Sequence, residues 1–159
     1  MPPYTVKELR LREEMDAVVD VISRAQYSPY MPSASIFFPV FGYTAADREA
    51  GIASSKERLW KEHTCNPSSH WIYVEDTATG SIVAGTQWEW NNGSPFKDGL
   101  AKINVHWWPE GEAREFCEEM LRQAYTPRSL WMHRPHASGY ASMVNKQVID
   151  PTSTCQVSA

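Results

Sequence analysis

Residues 69–90 of the chain read SHWIYVEDTATGSIVAGTQWEW. Two runs rich in β-branched and aromatic residues, Trp71–Val74 and Ile82–Trp90, flank a polar segment that closes with Gly80. Such side chains favour strands, and a short polar loop containing glycine commonly joins antiparallel strands. The stretch therefore predicts a β-hairpin, and we expect the rest of the fold to be organised around it.

The second run of this hairpin alternates with a period of two residues. Successive side chains of a strand point to opposite faces of the sheet. The alternation places Ile82, Ala84, Thr86, Trp88 and Trp90 on one face, and Val83, Gly85, Gln87 and Glu89 on the other. The pattern predicts that the Glu89 carboxylate lies on the face opposite the two tryptophans.

Helical and extended patterns alternate along the rest of the chain. Further strands are predicted over Tyr4–Leu11 and Leu100–Trp108, and helices over Glu13–Gln26, Thr44–His63 and Glu112–Ala124. Apolar residues spaced three and four apart carry the helix predictions, and Thr44 with Asp47 forms an approximate capping box. Together these elements predict an α/β (α+β) fold with a mixed, mostly antiparallel sheet flanked by helices.

A proline- and aromatic-rich segment, Tyr27–Tyr43, separates the first two predicted helices. It reads YSPYMPSASIFFPVFGY, and its prolines at positions 29, 32 and 39 forbid a regular helix. Its aromatic residues nevertheless favour burial. The segment is therefore predicted to be an ordered loop, acting either as a lid over a substrate pocket or as a cover packed on the core.

The composition excludes several classes of protein. A chain of 159 residues is long enough for one domain with a real core. The net charge of −4 and the scattered basic residues argue against nucleic-acid or membrane-surface partners. Three cysteines without paired spacing favour a reducing compartment. No signal peptide or membrane-spanning run is visible, so a cytoplasmic location is expected.

Several longer motifs resemble one known family. They are SSHWIYVEDTATGSIVAGTQWEW from residue 68, HWWPEGEAREF from residue 106 and MHRPHA from residue 132. With the order strand, helix, helix, hairpin, helix, they resemble the N-terminal half of the GCN5-related N-acetyltransferases (GNAT), specifically a fungal group. The resemblance covers residues 4–137 and implies an incomplete GNAT-like fold, followed by a divergent tail over 138–159. It also implies an ancestry in acetyl transfer from acetyl-CoA to an amine.

The sequence departs from that family at its cofactor motif. The family uses an Arg/Gln-x-x-Gly-x-Gly/Ala turn, where glycines and a helix N-terminus expose backbone N–H groups to the CoA pyrophosphate. No R-x-x-G-x-G/A occurs after the hairpin, where the family has it, and Gly139 is the only glycine after Gly111. No cofactor-binding residues are therefore identified. Acetyl-CoA is the expected cofactor only if the family activity survives. The chain is interpreted either as truncated or as a shortened domain that has lost CoA binding.

The candidate site residues are one carboxylate and five aromatic residues. Glu89 is the candidate general base for an amine, because a carboxylate among aromatic residues can have a raised pKa, although a solvated strand carboxylate is the simpler interpretation. The candidate substrate-binding residues are Phe37, Phe38, Trp88, Trp90 and Trp107. No metal site is predicted, since Pro135 prevents His133 and His136 from forming a helical ligand pair.

Three functions remain open from the sequence. The first is a GNAT-related protein with reduced or no acetyl-CoA-dependent N-acyl transfer. The second is an active acyl-CoA N-acyltransferase that binds CoA in an atypical way. The third is a non-enzymatic accessory protein that binds a small molecule in a fungal biosynthetic pathway. An unpaired edge of the hairpin sheet would in addition favour self-association.

Overall fold

The computed structural model describes residues 3–27 and 31–144, with side chains up to residue 139. In chain order the elements are β1 (Tyr4–Glu8), α1 (Arg12–Tyr27), α2 (Ala34–Phe37), α3 (Ala45–Cys65), β2 (Ser69–Asp76), β3 (Ile82–Asn91), α4 (Glu112–Trp131) and β4 (His136–Val144). The predicted α+β class is confirmed. All pairings in the described sheet are antiparallel.

The sheet has four strands in the order β1-β2-β3-β4, with the predicted hairpin at its centre. Both outer sides of the hairpin are paired, β2 with β1 and β3 with β4. The prediction of an unpaired hairpin edge is therefore wrong, because residues 136–144 form a strand that the sequence analysis did not predict. This strand crosses the boundary predicted at residue 137, and the rest of the predicted tail, 145–159, lies outside the described residues.

The helices all contribute to one face of the sheet, which carries Trp71, Tyr73 and Gly85. The Tyr73 hydroxyl donates a hydrogen bond of 2.7 Å to Glu14 of α1. A Cβ added at Gly85 would lie 2.5 Å from Cγ1 of Val18, so α1 packs directly on the backbone of β3. The main core lies in this layer and contains Leu9, Met15, Val18, Val19, Ile22, Phe38, Leu59, Trp71 and Tyr73.

The opposite face, which we term the open face, carries Tyr4, Val6, Trp88 and Trp90. Register pairs Val6 with Val74 and Val74 with Ala84, which places them on the same side as the two tryptophans. Val6 is 68% exposed and Trp90 56% exposed. The Tyr4 and Trp90 rings of the open face are therefore accessible from solvent, whereas Trp88 is only half-exposed.

A β-bulge corrects one part of the predicted alternation. Pairing shifts after Val74, so that Glu75 lies opposite Ile82 and Val83 is the extra residue. Such an insertion switches the side chains that precede it to the opposite face of the sheet. Ile82 accordingly packs against the main core instead of sharing the face of Trp88 and Trp90.

The helix predictions are confirmed with shifted ends. The Thr44 capping box is present: Thr44 Oγ1 accepts from the Asp47 backbone N–H, and the Asp47 carboxylate accepts from that of Thr44. Helix α4 runs seven residues beyond its predicted end at Ala124 and passes through Pro127. Its end is closed by a bond of 2.9 Å from the Met132 backbone N–H to the Arg128 carbonyl.

The strand predicted over Leu100–Trp108 is wrong. Residues 101–105 have no regular structure and pair with no strand. The apolar alternation instead serves packing on α4, because Ile103, Val105 and Trp107 belong to a second cluster with Cys117 and Leu121. The backbone N–H of Val105 donates to a carboxylate oxygen of Glu118 rather than to a neighbouring strand.

In the described part of the chain, no helix is long and apolar enough to cross a membrane.

Candidate functional site

A cavity of about 510 Å³ opens on the helix-covered face of the sheet, between the end of α1 and helices α2, α3 and α4. Its volume lies in the range of small-molecule sites, about 300–1,000 Å³. The lining residues are Gln26, Met31, Ser33, Ala34, Phe37, Phe38, Arg58, Leu59, Glu62, Trp71, Gln87, Glu89, Trp107, Leu121, Ala124, Tyr125 and Arg128. The wall is mostly apolar and aromatic, with a few charged and amide groups.

The structure brings together four of the six residues that the sequence analysis selected. Glu89, Phe37, Phe38 and Trp107 line this cavity. Trp88 and Trp90 are not among the lining residues, because they alternate onto the open face. The segment Tyr27–Tyr43 was predicted without a regular helix, but its described part contains the four-residue helix α2, which fits between Pro32 and Pro39. Phe38 is buried in the main core and also lines the cavity, and a lid role stays a prediction.

The carboxylate of Glu89 is held at the sheet end of the cavity. Asn66 Nδ2, just after α3, donates to Glu89 Oε1 at 3.1 Å. Two residues earlier on β3, Gln87 Nε2 donates to Ser69 Oγ at 3.0 Å. Strand register therefore places the polar side chains of Ser69, Gln87 and Glu89 together at this end of the cavity. There the Glu89 carboxylate can accept a hydrogen bond or a proton from a bound molecule.

On the α3 side, the guanidinium of Arg58 lies 4.3 Å from the centre of the Trp107 ring. It forms an ion pair of 3.2 Å with Glu62 and donates to the Phe37 carbonyl. Burial lowers the pKa of Arg58, and the Glu62 carboxylate opposes that shift. Trp107 Nε1 in turn donates to the Ile36 carbonyl at 2.7 Å. Arg58 therefore holds the Trp107 ring in place, and its positive charge is neutralised by the Glu62 carboxylate.

On the α4 side, Tyr125 and Arg128 line the cavity. The guanidinium carbon of Arg128 lies 5.4 Å from the centre of the Tyr125 ring. Burial raises the pKa of the Tyr125 phenol; the Arg128 charge opposes this shift and the Glu89 carboxylate adds to it. The phenol thus stays protonated at neutral pH, within electrostatic range of Glu89.

Two fully buried side chains of the wall carry polar atoms without a partner among the described residues. Gln26, at 5% exposure, has no hydrogen bond to its Oε1, and Trp71, at 1% exposure, makes none from its Nε1. Buried polar groups in proteins are nearly always hydrogen-bonded, to protein or to ordered water. Both residues line the cavity, but these two atoms are themselves enclosed by the surrounding side chains.

Each of the three long helices has carboxylates of the chain itself at or near its start. Glu14 accepts from the backbone N–H groups of Arg10 and Leu11 before α1, and Asp47 caps α3. Helix α4 has Glu112 and Glu115 in its first turn. Carboxylates near a helix N-terminus favour the helix, but they repel a second anion there.

The described residues contain no group of three or more His, Cys, Asp or Glu side chains that could hold a metal ion. His133 Nε2 and His136 Nδ1 each contact a nearby backbone carbonyl at 2.6 Å, the first that of Leu130 and the second that of Arg134.

Comparison with solved structures finds one similarity to report. It is with the crystal structure of ribosomal-protein-S5-alanine acetyltransferase from Vibrio fischeri, at 12% identity and a TM-score of 0.33, over 80% of this chain and 67% of that one. The chain has a distant structural resemblance to a GNAT acetyltransferase. No protein-family model matches the sequence, and no curated protein matches it.

Sequence reasoning missed the residues that complete the cavity wall. Arg58 looks like an ordinary surface cation of an amphipathic helix, and only tertiary packing brings it over the Trp107 ring. Arg128 lies over Tyr125, three residues earlier on the same helix, so that contact follows from helical spacing. Trp71 had a usable signal: in a hairpin its side chain shares a face with its cross-strand partner, which is Gln87. Applying alternation to both strands would have placed Trp71 on the face of Glu89.

Proposed function

We propose that this chain is a GNAT-related protein that binds a small, largely apolar molecule in the cavity, with reduced or no acetyl-CoA-dependent N-acyl transfer. The observation that carries the proposal is the cavity itself, which is lined by aromatic residues and carries the Glu89 carboxylate at its sheet end. Sites of this kind use an apolar wall for affinity and a few polar groups for orientation.

The helix N-termini support the second part of the proposal, which is that acetyl-CoA-dependent transfer is reduced or absent. Binding a diphosphate needs several free backbone N–H groups that converge on the anion. Glu14 accepts from the backbone N–H groups of Arg10 and Leu11 just before α1, Asp47 accepts from that of the N-cap Thr44 before α3, and α4 begins with two glutamates. A CoA pyrophosphate placed at any of these three helix starts would meet negative charge.

Calorimetric titration with acetyl-CoA tests the loss of cofactor binding. The expected result is no saturable heat at millimolar ligand. A micromolar dissociation constant would overturn the proposal. A thermal-shift screen with bicyclic aromatic compounds tests small-molecule binding, because a compound that occupies the cavity should raise the melting temperature. An Ala124→Trp variant, which fills the cavity from α4, should abolish that shift.

An active N-acyltransferase is the second candidate, and the position of Glu89 favours it. The carboxylate lines the cavity and could take the proton of a bound amine as its nitrogen attacks the thioester carbonyl of acetyl-CoA, the C–S bond breaking and CoA leaving as the thiolate. Mass spectrometry of an amine panel incubated with acetyl-CoA tests this role. Acetylated product from the wild type but not from Glu89→Gln would favour transfer, and product from neither protein would favour binding alone. A role in a fungal biosynthetic pathway, and truncation of a longer enzyme, stay predictions of the resemblance.

A further inference from the structure

Helix α4 carries exposed apolar residues along one side. At about 100° of rotation per residue, six of them fall within about 80° of one another around the helix. Trp131 is 83% exposed and Phe116 is 63% exposed. We term this set the α4 stripe; it consists of Ala113, Phe116, Met120, Ala124, Pro127 and Trp131, all of them exposed.

The α4 stripe is not the side of the helix that packs on the domain. That side carries Cys117 and Leu121, which are buried in the second cluster. The stripe contains no charged residue and extends from residue 113 to residue 131, which is about 27 Å at a rise of about 1.5 Å per residue. Soluble domains rarely leave a long apolar surface exposed, and such surfaces usually mark a contact with another protein.

The charges of α4 are divided unequally between its two halves. The second half contains Arg122 and Arg128 and no carboxylate. The first half contains one arginine, Arg114, and four carboxylates: Glu112, Glu115, Glu118 and Glu119. A second copy of the helix in the antiparallel orientation would place each acidic half beside a basic half and bring opposite ends of the helix dipoles together. A parallel copy would instead bring like charges together.

Side-chain sizes along the α4 stripe match in the same antiparallel orientation. When two copies of α4 are centred at residue 122, Trp131 of each copy lies opposite Ala113 of the other, and Met120 lies opposite Ala124. Large side chains opposite small ones let two helices interdigitate. The stripe is therefore complementary to itself in size, and the two halves of the helix are complementary in charge.

We propose that the α4 stripe binds the α4 stripe of a second copy of this chain, with the two helices antiparallel. The inference goes beyond the proposed function and does not depend on it. The contact also leaves β1 and β4, the edges of the described sheet, untouched. It can therefore be tested separately from any pairing at those edges.

Site-specific cross-linking tests the contact where it is proposed. The full chain carrying Cys65→Ser and Cys155→Ser receives one new cysteine and is treated with a short bis-maleimide. Gln123→Cys lies next to the centre of the proposed pair and at an exposed position, so two copies should become cross-linked. Ala113→Cys should not be cross-linked to itself, because the two copies of that residue would lie about 27 Å apart along antiparallel helices.

Substitution within the stripe assigns the cross-link to it. Met120→Lys, added to Gln123→Cys, should lower the cross-linked fraction at least about tenfold, because a lysine charge buried against apolar residues is costly. Thr126→Lys adds the same charge at an exposed position of α4, about 120° around the helix from the middle of the stripe, and should leave the cross-link in place. Circular dichroism and labelling with a monofunctional maleimide establish that the variants are folded and that their thiols react equally.

Three results would overturn the inference. The first is the absence of a cross-link through Gln123→Cys. The second is equal cross-linking through Ala113→Cys and Gln123→Cys, as expected from parallel helices or from random collision. The third is a cross-link that Met120→Lys does not reduce, or that Thr126→Lys reduces equally. None of them bears on small-molecule binding in the cavity, which the thermal-shift screen tests.

Discussion

At the scale of single residues, Gly85 determines how closely α1 approaches the sheet. The Cβ that alanine would add meets Cγ1 of Val18 at 2.5 Å. Gly85→Ala should therefore destabilise the fold by about 1–3 kcal/mol, the usual cost of overpacking a core. Urea denaturation measures the loss.

Gly93→Ala is the matched control for that substitution. Its added Cβ would have only the end of the Lys97 side chain within 4 Å, at 3.8 Å, and Gly93 has no positive φ. We expect a change of less than about 0.5 kcal/mol, as is usual for surface positions. Equal losses in the two variants would show that the α1–β3 contact is looser than described.

The candidate site was predictable only where alternation and chemistry coincide. Glu89, Phe37, Phe38 and Trp107 were identified because a carboxylate and aromatic rings are conspicuous in sequence, and all four line the cavity. Trp88 and Trp90 were selected on residue type alone, against the alternation that placed them opposite Glu89. The unpaired atoms of Gln26 and Trp71 depend on packing between α1 and β2, which no local pattern encodes.

At the scale of elements, the capping box of α3 can be tested directly. Thr44→Ala removes the hydroxyl that accepts from the Asp47 backbone N–H, and caps of this kind contribute about 0.5–2 kcal/mol. We expect the free energy of unfolding to fall by that amount. Ser54→Ala, at an exposed position inside the same helix, should be neutral or slightly stabilising, since alanine is the better helix former. A loss at Ser54 as large as that at Thr44 would contradict the capping role.

Elements with strong local signals were predicted and those without them were not. The hairpin, α1 and α3 have period, caps and turn residues that agree with one another. Helix α4 passes Pro127, where local rules predict an end, and its last turn is closed beyond the proline by a backbone bond from Met132 to the Arg128 carbonyl. Strand β4 has the weak sequence HASGYASMV and forms through its pairing with β3.

At the scale of the whole molecule, His63 should make stability depend on pH. Burial lowers the pKa of His63; the His70 charge adds to this, while the Ser69 backbone and the Glu8 carboxylate oppose it. The unfolded chain then binds a proton more readily than the folded chain just below pH 6.5, so stability falls as the pH drops through that region.

Chemical denaturation between pH 7 and 5 measures this effect. The wild type should lose more stability over that interval than His63→Gln, which has no titrating group at this position. Parallel pH profiles of the two proteins would contradict the assignment. Asp47 and Glu8, whose pKa values are lowered, by hydrogen bonds to Thr44 and to Arg10 respectively, affect stability only at more acidic pH.

Self-association through a sheet edge stays a prediction, with the edges of the described sheet now at β1 and β4. Exposed edge strands pair readily with other chains, and a charge at the edge opposes such pairing. We expect size-exclusion chromatography with light scattering to detect a dimer, and Val6→Lys on β1 to shift it toward monomer with unchanged circular dichroism. A monomeric wild type at high concentration would contradict the prediction.

The one-sided placement of the helices has a calorimetric consequence. Unfolding raises the heat capacity in proportion to the apolar surface newly exposed to water, about 12–15 cal/mol/K per residue in typical domains. Side chains such as Val6 and Trp90 are hydrated before unfolding begins. The heat-capacity increment per residue should therefore lie below that range, and the curve of stability against temperature should be broad and shallow.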